Sequence, residues 1–158
     1  MALRPEELSG FSIFSGLAPQ QLATLAPIFW RQEYEAGRHV FQQGDQALNI
    51  YIVESGEVVL RFRPYDGGSM DIETIWPGGV FGWSAALGRP HYTSGAQCNG
   101  VTMLLVTHGS DLRRVMRRDR ELGVLLLDSM AQLVAHRLDS FRSQLMLLLH
   151  AESDPDHS

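Results

Sequence analysis

The sequence contains no lysine: its thirteen basic residues are all arginine, set against eighteen acids for a formal net charge of −5. An arginine-only surface is still soluble, but a mildly acidic domain lacks the basic face that wrapping nucleic acid requires. Cysteine is nearly absent as well. Cys98 stands alone, which excludes an internal disulfide and any cysteine-based zinc site. No run of about eighteen apolar residues occurs, and the richest stretch, LGVLLLDSM, is broken by Asp128. The opening MALRPEELSG carries acids and has no apolar signal-peptide core. A soluble, cytoplasmic protein is the expectation.

The signatures of catalysis are missing too. His39, His91, His108, His136, His150 and His157 form no pair at i,i+2 or i,i+4, so a metal site has no support. Ser55 belongs to an E-S-G-E turn, with nothing to mark it as an activated nucleophile. Cys98 falls in AQCNGVTMLLV, a stretch with strand character, and reads as a small buried residue. Catalytic residues, metal and cofactor are all expected to be none. A barrel enzyme remains only as the remote alternative.

What is present divides into three zones. Residues 1–30 look helical: Pro19 suits a first turn, Leu22, Leu25 and Ala26 share a face, and Pro27 marks the stop. Across 31–108 short apolar runs alternate with glycine or proline turns. Val58, Leu60 and Phe62 fall on one side of a strand, with Glu57, Val59, Arg61 and Arg63 on the other. Asp66-Gly67-Gly68 reads as a hairpin turn. The fold class is mainly β, a small antiparallel β-barrel or jelly roll of six to eight strands. N-terminal helices precede it and a long C-terminal dimerisation helix follows.

That C-terminal zone, 109–150, has Ser110 or Asp111 as its expected N-cap and a polar tail, 151–158, expected to be disordered. Val124, Leu127, Ala131, Val134, Leu138, Phe141, Leu145 and Leu148 advance by alternating steps of three and four, a heptad seam. A second stripe, Leu122, Leu125, Leu126, Met130 and Leu133, lies off that seam and fades after residue 133. The helix therefore has one face for the barrel and one for a partner, most economically a second copy in a homodimer. The arginines at 113, 114, 117, 118 and 120 are interleaved with acids, as on a solvated face, so direct nucleic-acid contact is not expected.

The stretch FGWSAALGRPHYTSG, residues 81–95, follows a glycine turn, and WSAAL reads as a helical start whose small residues leave amides accessible. Such amides can hold an anion without a charged side chain.

In order, FSGLAPQQLATLAP, EAGRHVFQQGDQALNIYIVESGEVVL, WPGGVFG and RRVMRRDRELGVLLLDSMAQLVAHRL resemble the cyclic-nucleotide-binding domain of the catabolite-activator and fumarate–nitrate-regulator type over nearly the whole chain. The resemblance implies a phosphate-binding cassette at 78–96 and a regulatory function without enzymatic activity. In nucleotide-binding members the cassette holds a glutamate for the ribose and an arginine for the cyclic phosphate. Here Trp83 stands at the glutamate position and Tyr92 at the arginine position, with Arg89 three residues early. The expected ligand pocket comprises Phe81, Gly82, Trp83, Ser84, Ala85, Arg89, His91, Tyr92, Thr93 and Ser94. Two alternatives stay open: a small anionic ligand held in a relaxed pocket, or a plugged pocket in a ligand-free dimerisation or interaction scaffold. The family's transcription factors continue into a helix-turn-helix domain; the residues after 150, AESDPDHS, offer none, so direct operator binding is not expected of this stretch, whether it is a free sensor domain or a fragment of a longer regulator.

Overall fold

The computed structural model describes residues 3–65 and 67–152. Short helices α1 (Pro5–Leu8) and α2 (Pro19–Leu25) lead in. Pro19 takes the first turn of α2, and the side-chain Oε1 of Gln21 accepts the Ala18 amide at 2.7 Å. The strands follow: β1 (Phe29–Tyr34), β2 (His39–Phe41), β3 (Asn49–Ser55), β4 (Val58–Phe62), β5 (Met70–Ile75) and β6 (Val80–Phe81). After the cassette helix α3 (Trp83–Ala86) come β7 (Gly95–Cys98) and β8 (Thr102–His108), then α4 (Gly109–Arg118) and α5 (Arg120–Glu152).

Eight strands form two antiparallel four-stranded sheets, ordered β1-β8-β3-β6 and β2-β7-β4-β5. This is the expected jelly-roll arrangement, built as two sheets. The first strand starts at Phe29, two residues ahead of the expected zone. β4 pairs with β5 around the expected hairpin turn, although Asp66 itself lies outside the described residues, as do residues 153–158 of the polar tail.

Alternation along β3 and β8 separates two cores. Ile50, Ile52 and Leu105 face the helices with Leu8, Phe14, Leu25, Leu112, Leu122 and Leu126. Tyr51, Val53, Leu104 and Val106 face inward, against Val58, Leu60, Phe81 and Tyr92. Both faces of these strands are covered, which is why they read as continuous apolar runs. Cys98 is buried between the sheets.

The C-terminal zone is two helices, broken at Asp119. The expected cap at Ser110 or Asp111 lies inside α4, which begins at Gly109 with His108 at the cap position. The Asp119 carboxylate accepts the Leu122 amide at 3.1 Å and so caps α5. The two stripes part as the spacing predicts: Leu122 and Leu126 are fully buried and Met130 nearly so. The heptad seam is bare in the single chain, from Val124, 66% exposed, to Leu148, 64% exposed. At 33 residues, α5 runs for about 50 Å, further than the sheets can support. No helix among the described residues is long and apolar enough to cross a membrane.

Because Leu126 is fully buried in the helix-side core, Leu126→Ala is expected to lower the unfolding free energy by about 2–5 kcal/mol. The loss should be the same at every protein concentration in urea titrations.

Candidate functional site

The cassette begins where β6 ends. Phe81 pairs with Tyr51, and Gly82 then turns the chain at φ 85°. A Cβ there would stand 2.9 Å from the Asn49 carbonyl oxygen, so glycine is required both by the dihedral and by the close approach of β3. The four-residue α3 follows, with Ser84, Ala85 and Ala86 buried.

Backbone bonds occupy much of the expected cradle. The Ala85 amide donates to Gly82, and the Arg89 amide to the Ser84 carbonyl at 2.9 Å. The loop after α3 is tied to residues 44–47: Ala47 donates to Pro90, Tyr92 to Asp45, and Gly44 to Tyr92, all within 3.0 Å. Arg89, His91 and Thr93 project to solvent and Ser94 is half-buried. The structure therefore brings Phe81, Gly82, Ser84, Ala85 and Tyr92 together at the junction of α3 and β3, and does not gather Arg89, His91 and Thr93 with them.

Tyr92 turns inward and is 5% exposed. Its ring stacks on Phe41 with centroids 3.6 Å apart. Its hydroxyl donates to the Asn49 carbonyl oxygen at 2.6 Å and accepts the Asn49 amide at 3.0 Å. Phe81 stacks on Tyr51 at 5.0 Å and lies 6.0 Å from Phe41, completing an aromatic quartet between the sheets. Burial pushes the Tyr92 and Tyr51 hydroxyls above the ordinary phenol range and Tyr34 up to about 12. The interior selects neutral groups.

Trp83 turns the other way. It packs against the helix-side core and lines a cleft of about 700 Å³ between α5 and the β5–β6 turn, with Trp76, Leu133, His136 and Phe141. Its indole N–H is buried without a hydrogen-bond partner. Across one side of this cleft, Arg137 of α5 grips Glu73 of β5, Nε to Oε2 at 2.9 Å and Nη2 to Oε2 at 2.5 Å.

Two features escaped the sequence. Arg113 reaches from α4 to donate to the Ala85 carbonyl oxygen, satisfying the C-terminal end of α3; in the sequence it was one of five arginines on a solvated face. The others do stay at the surface, with Arg114 paired to Asp111 at 3.4 Å and Arg117, Arg118 and Arg120 exposed. The Glu73–Arg137 pair spans 64 residues, and no local pattern announces it. Among the described residues no cluster of His, Cys, Asp or Glu is arranged to hold a metal ion.

The sequence pattern of the cyclic nucleotide-binding domain matches residues 31–119, from β1 through the cassette to the break between α4 and α5. The chain belongs to the cyclic nucleotide-binding domain family. It is 31% identical over 147 residues to the cyclic AMP receptor protein of Thermus thermophilus, covering 92% of this chain and 66% of that protein. It is 32% identical over 85 residues to the acetyltransferase Pat of Mycolicibacterium smegmatis, covering 54% of this chain and 25% of that enzyme. Among solved structures, the Thermus thermophilus catabolite activator protein superposes with a TM-score of 0.71 at 30% identity, over 87% of this chain and 62% of that one. The chain thus spans 66% of the length of the receptor and 26% or less of the other curated relatives. The likeness to these regulators extends to the fold described above, two antiparallel sheets followed by a long helix.

The buried tyrosines give the cassette an alkaline limit. Their folded values lie above the unfolded one, near 10, so their contribution is complete below about pH 10 and is lost as pH rises through the folded values. Denaturant midpoints are expected to fall above about pH 10. Tyr92→Phe, which strands the Asn49 amide and carbonyl, is expected to cost about 1–3 kcal/mol at neutral pH and to shallow that alkaline fall.

Proposed function

We propose that this protein is a cytoplasmic, non-enzymatic regulatory module, homodimeric through α5, that reads the state of the cleft beside Trp83 rather than the level of a cyclic nucleotide. The observation that carries this reading is the bare seam of Val124, Leu127, Ala131, Val134, Leu138, Phe141, Leu145 and Leu148 on a helix whose opposite stripe is already buried. Covering these side chains with a second copy would contribute on the order of 10 kcal/mol before association costs. A parallel pair of α5 helices is the simplest cover, with Phe141 loosening the packing locally. The company the domain keeps supports a regulatory role, since it forms part of a receptor and part of an acetyltransferase.

Cyclic nucleotides are poor ligands for this cassette. Trp83 and Tyr92 stand where the family resemblance sets a ribose-binding carboxylate and a phosphate-binding guanidinium. Replacing the charged partner of a buried phosphate costs about 2–5 kcal/mol. The Tyr92 hydroxyl is committed to Asn49 and its ring to Phe41, so neither is available to a sugar-phosphate. The cleft is different: the Trp83 indole N–H lacks an acceptor, and the walls come from both α5 and β5–β6. A ligand there would shift α5 against the sheets, and a partner would read the altered dimer surface. A second reading, a ligand-free dimerisation scaffold, is favoured by the filled aromatic interior between the sheets.

Light scattering should return twice the chain mass at micromolar concentration, and Leu138→Asp should return a folded monomer. Leu127→Ala should weaken only the concentration-dependent part of stability. Tryptophan fluorescence should stay flat on titration with cyclic AMP or cyclic GMP; a saturable micromolar response would refute the exclusion of cyclic nucleotides.

A further inference from the structure

The second sheet ends at β5: its order, β2-β7-β4-β5, leaves one side of this strand without a neighbouring strand. The direction of the backbone groups can be followed along β4. The Arg63 amide and carbonyl both bond the Gln43 side chain, just past β2, and the Glu57 carbonyl accepts the Asn99 amide, just past β7. Backbone groups alternate sides along a strand, so Val58 and Leu60 bond Ile75 and Glu73 of β5. Thr74, the residue between, points its N–H and C=O away from the sheet. Among the described residues no hydrogen bond outside the β4 ladder takes up the backbone of residues 70–75.

That edge looks into the cleft beside Trp83. Ile72, Glu73, Thr74, Ile75 and Trp76 line it without a gap. A strand presenting one of its faces contributes alternate residues, so it is the edge that faces the cleft. Opposite, Leu133, His136, Arg137, Ser140, Phe141 and Gln144 recur at helical spacing on one side of α5. The two walls are close in length, about 13 Å of strand and about 16 Å of helix. Ile72, Trp76 and Phe141 are 42%, 62% and 59% exposed, so the cleft is open to solvent. Glu73 and Arg137 neutralise each other as an ion pair.

We propose that this cleft binds an uncharged, extended peptide segment, which adds to β5 as a fifth strand of the second sheet. The inference rests on the reading of the cleft as the regulatory site and names its class of ligand. Main-chain bonds to Thr74 supply affinity, and alternate side chains of the peptide meet Trp76 and Phe141. A helix cannot pair with a strand edge, because its own backbone groups already bond one another. A small apolar molecule leaves the Thr74 N–H and C=O to water. The usable edge is short, bounded by the bulge at Ile72 and by Pro77, which confines pairing to residues 73–76. Phe141 also belongs to the bare seam, so the peptide lies beside the surface that a second copy would cover.

The probe is acetyl-Val-Thr-Val-Thr-Val-amide, titrated into the full chain while tryptophan fluorescence and hydrogen exchange of the β5 amides are followed. A saturable fluorescence change is expected, since Trp76 and Trp83 both line the cleft, together with slowed exchange at Thr74. N-methylating one alternate set of the peptide's amides should weaken binding about tenfold or more, and the other set far less, because only one edge of the probe meets β5. Thr74→Pro should weaken it by a similar factor and leave the β4 ladder intact, an edge strand tolerating proline where the N–H points outward. Ser140→Phe should abolish binding by filling the cleft from the helix side; Ser140 is exposed and lies off the seam. No saturable response, unchanged exchange at Thr74, or equal tolerance of both methylated sets would overturn the proposal. The dimer is read separately by light scattering, so an intact dimer that ignores the peptide refutes this inference and leaves the dimeric reading standing.

Discussion

One phenol oxygen ties this domain's cassette loop directly to the start of β3. Tyr92 Oη takes both the amide and the carbonyl of Asn49, the first residue of β3. The Asn49 side chain meets His108 Nδ1 at 2.7 Å, at the head of α4. Cassette loop, β3 and the start of α4 therefore converge on one residue. Buried backbone groups left unpaired cost free energy comparable to a lost hydrogen bond, so the loop has a reason to keep this conformation without a ligand. Around it, Phe41, Tyr51 and Phe81 supply the apolar walls.

The long helix is organised by a second constraint, that of covering two apolar stripes with one monomer. The near stripe finds the first sheet, α4 and the N-terminal helices. The seam finds nothing in the single chain. The transition between the two regimes falls near Leu133 and Arg137, which is also where α5 is fastened to β5 through Glu73. That pair is about one-third exposed, so its contribution to stability is small. Its geometry matters more: it links the half of the helix that rests on the domain to the half that a partner would cover.

The parts of this structure that were legible from sequence are those set by periodicity and punctuation. The period-2 run at β4, the glycine turn before Phe81 and the two stripes of α5 each depend on a pattern within about ten residues or a sustained repeat. The helix break at Asp119 was less legible, because an aspartate inside a charged helical run reads equally as a solvated surface position. The strand start at Phe29 was obscured by Pro27, whose stop signal for α2 does not say how soon a strand follows. The site divided similarly. Trp83 and Tyr92 could be placed at two positions of the cassette, but not on opposite sides of the sheet, since that depends on Gly82 turning the chain over β3. Arg113, Glu73 and Asn49 take their roles from partners 28 to 64 residues distant, and single-chain spacing carries no trace of such pairings.

The distribution of satisfied and unsatisfied polar atoms gives these pieces a common logic. Between the sheets the polar groups of Tyr92 and the Asn49 backbone satisfy one another. The orphaned atoms are elsewhere: Trp83 Nε1 at the α5 cleft, and Arg61 Nε and Gln97 Oε1 on the outer face. A buried donor or acceptor without a partner is costly, and such atoms persist where water, a ligand or another chain completes them. The polar groups in the interior of the sheets are therefore matched to one another, while the unmatched ones lie on the two surfaces that flank it. One of those surfaces is walled in part by α5, the helix that carries the bare seam, and the other by the strands of the second sheet, so the two unsatisfied regions sit on different structural supports.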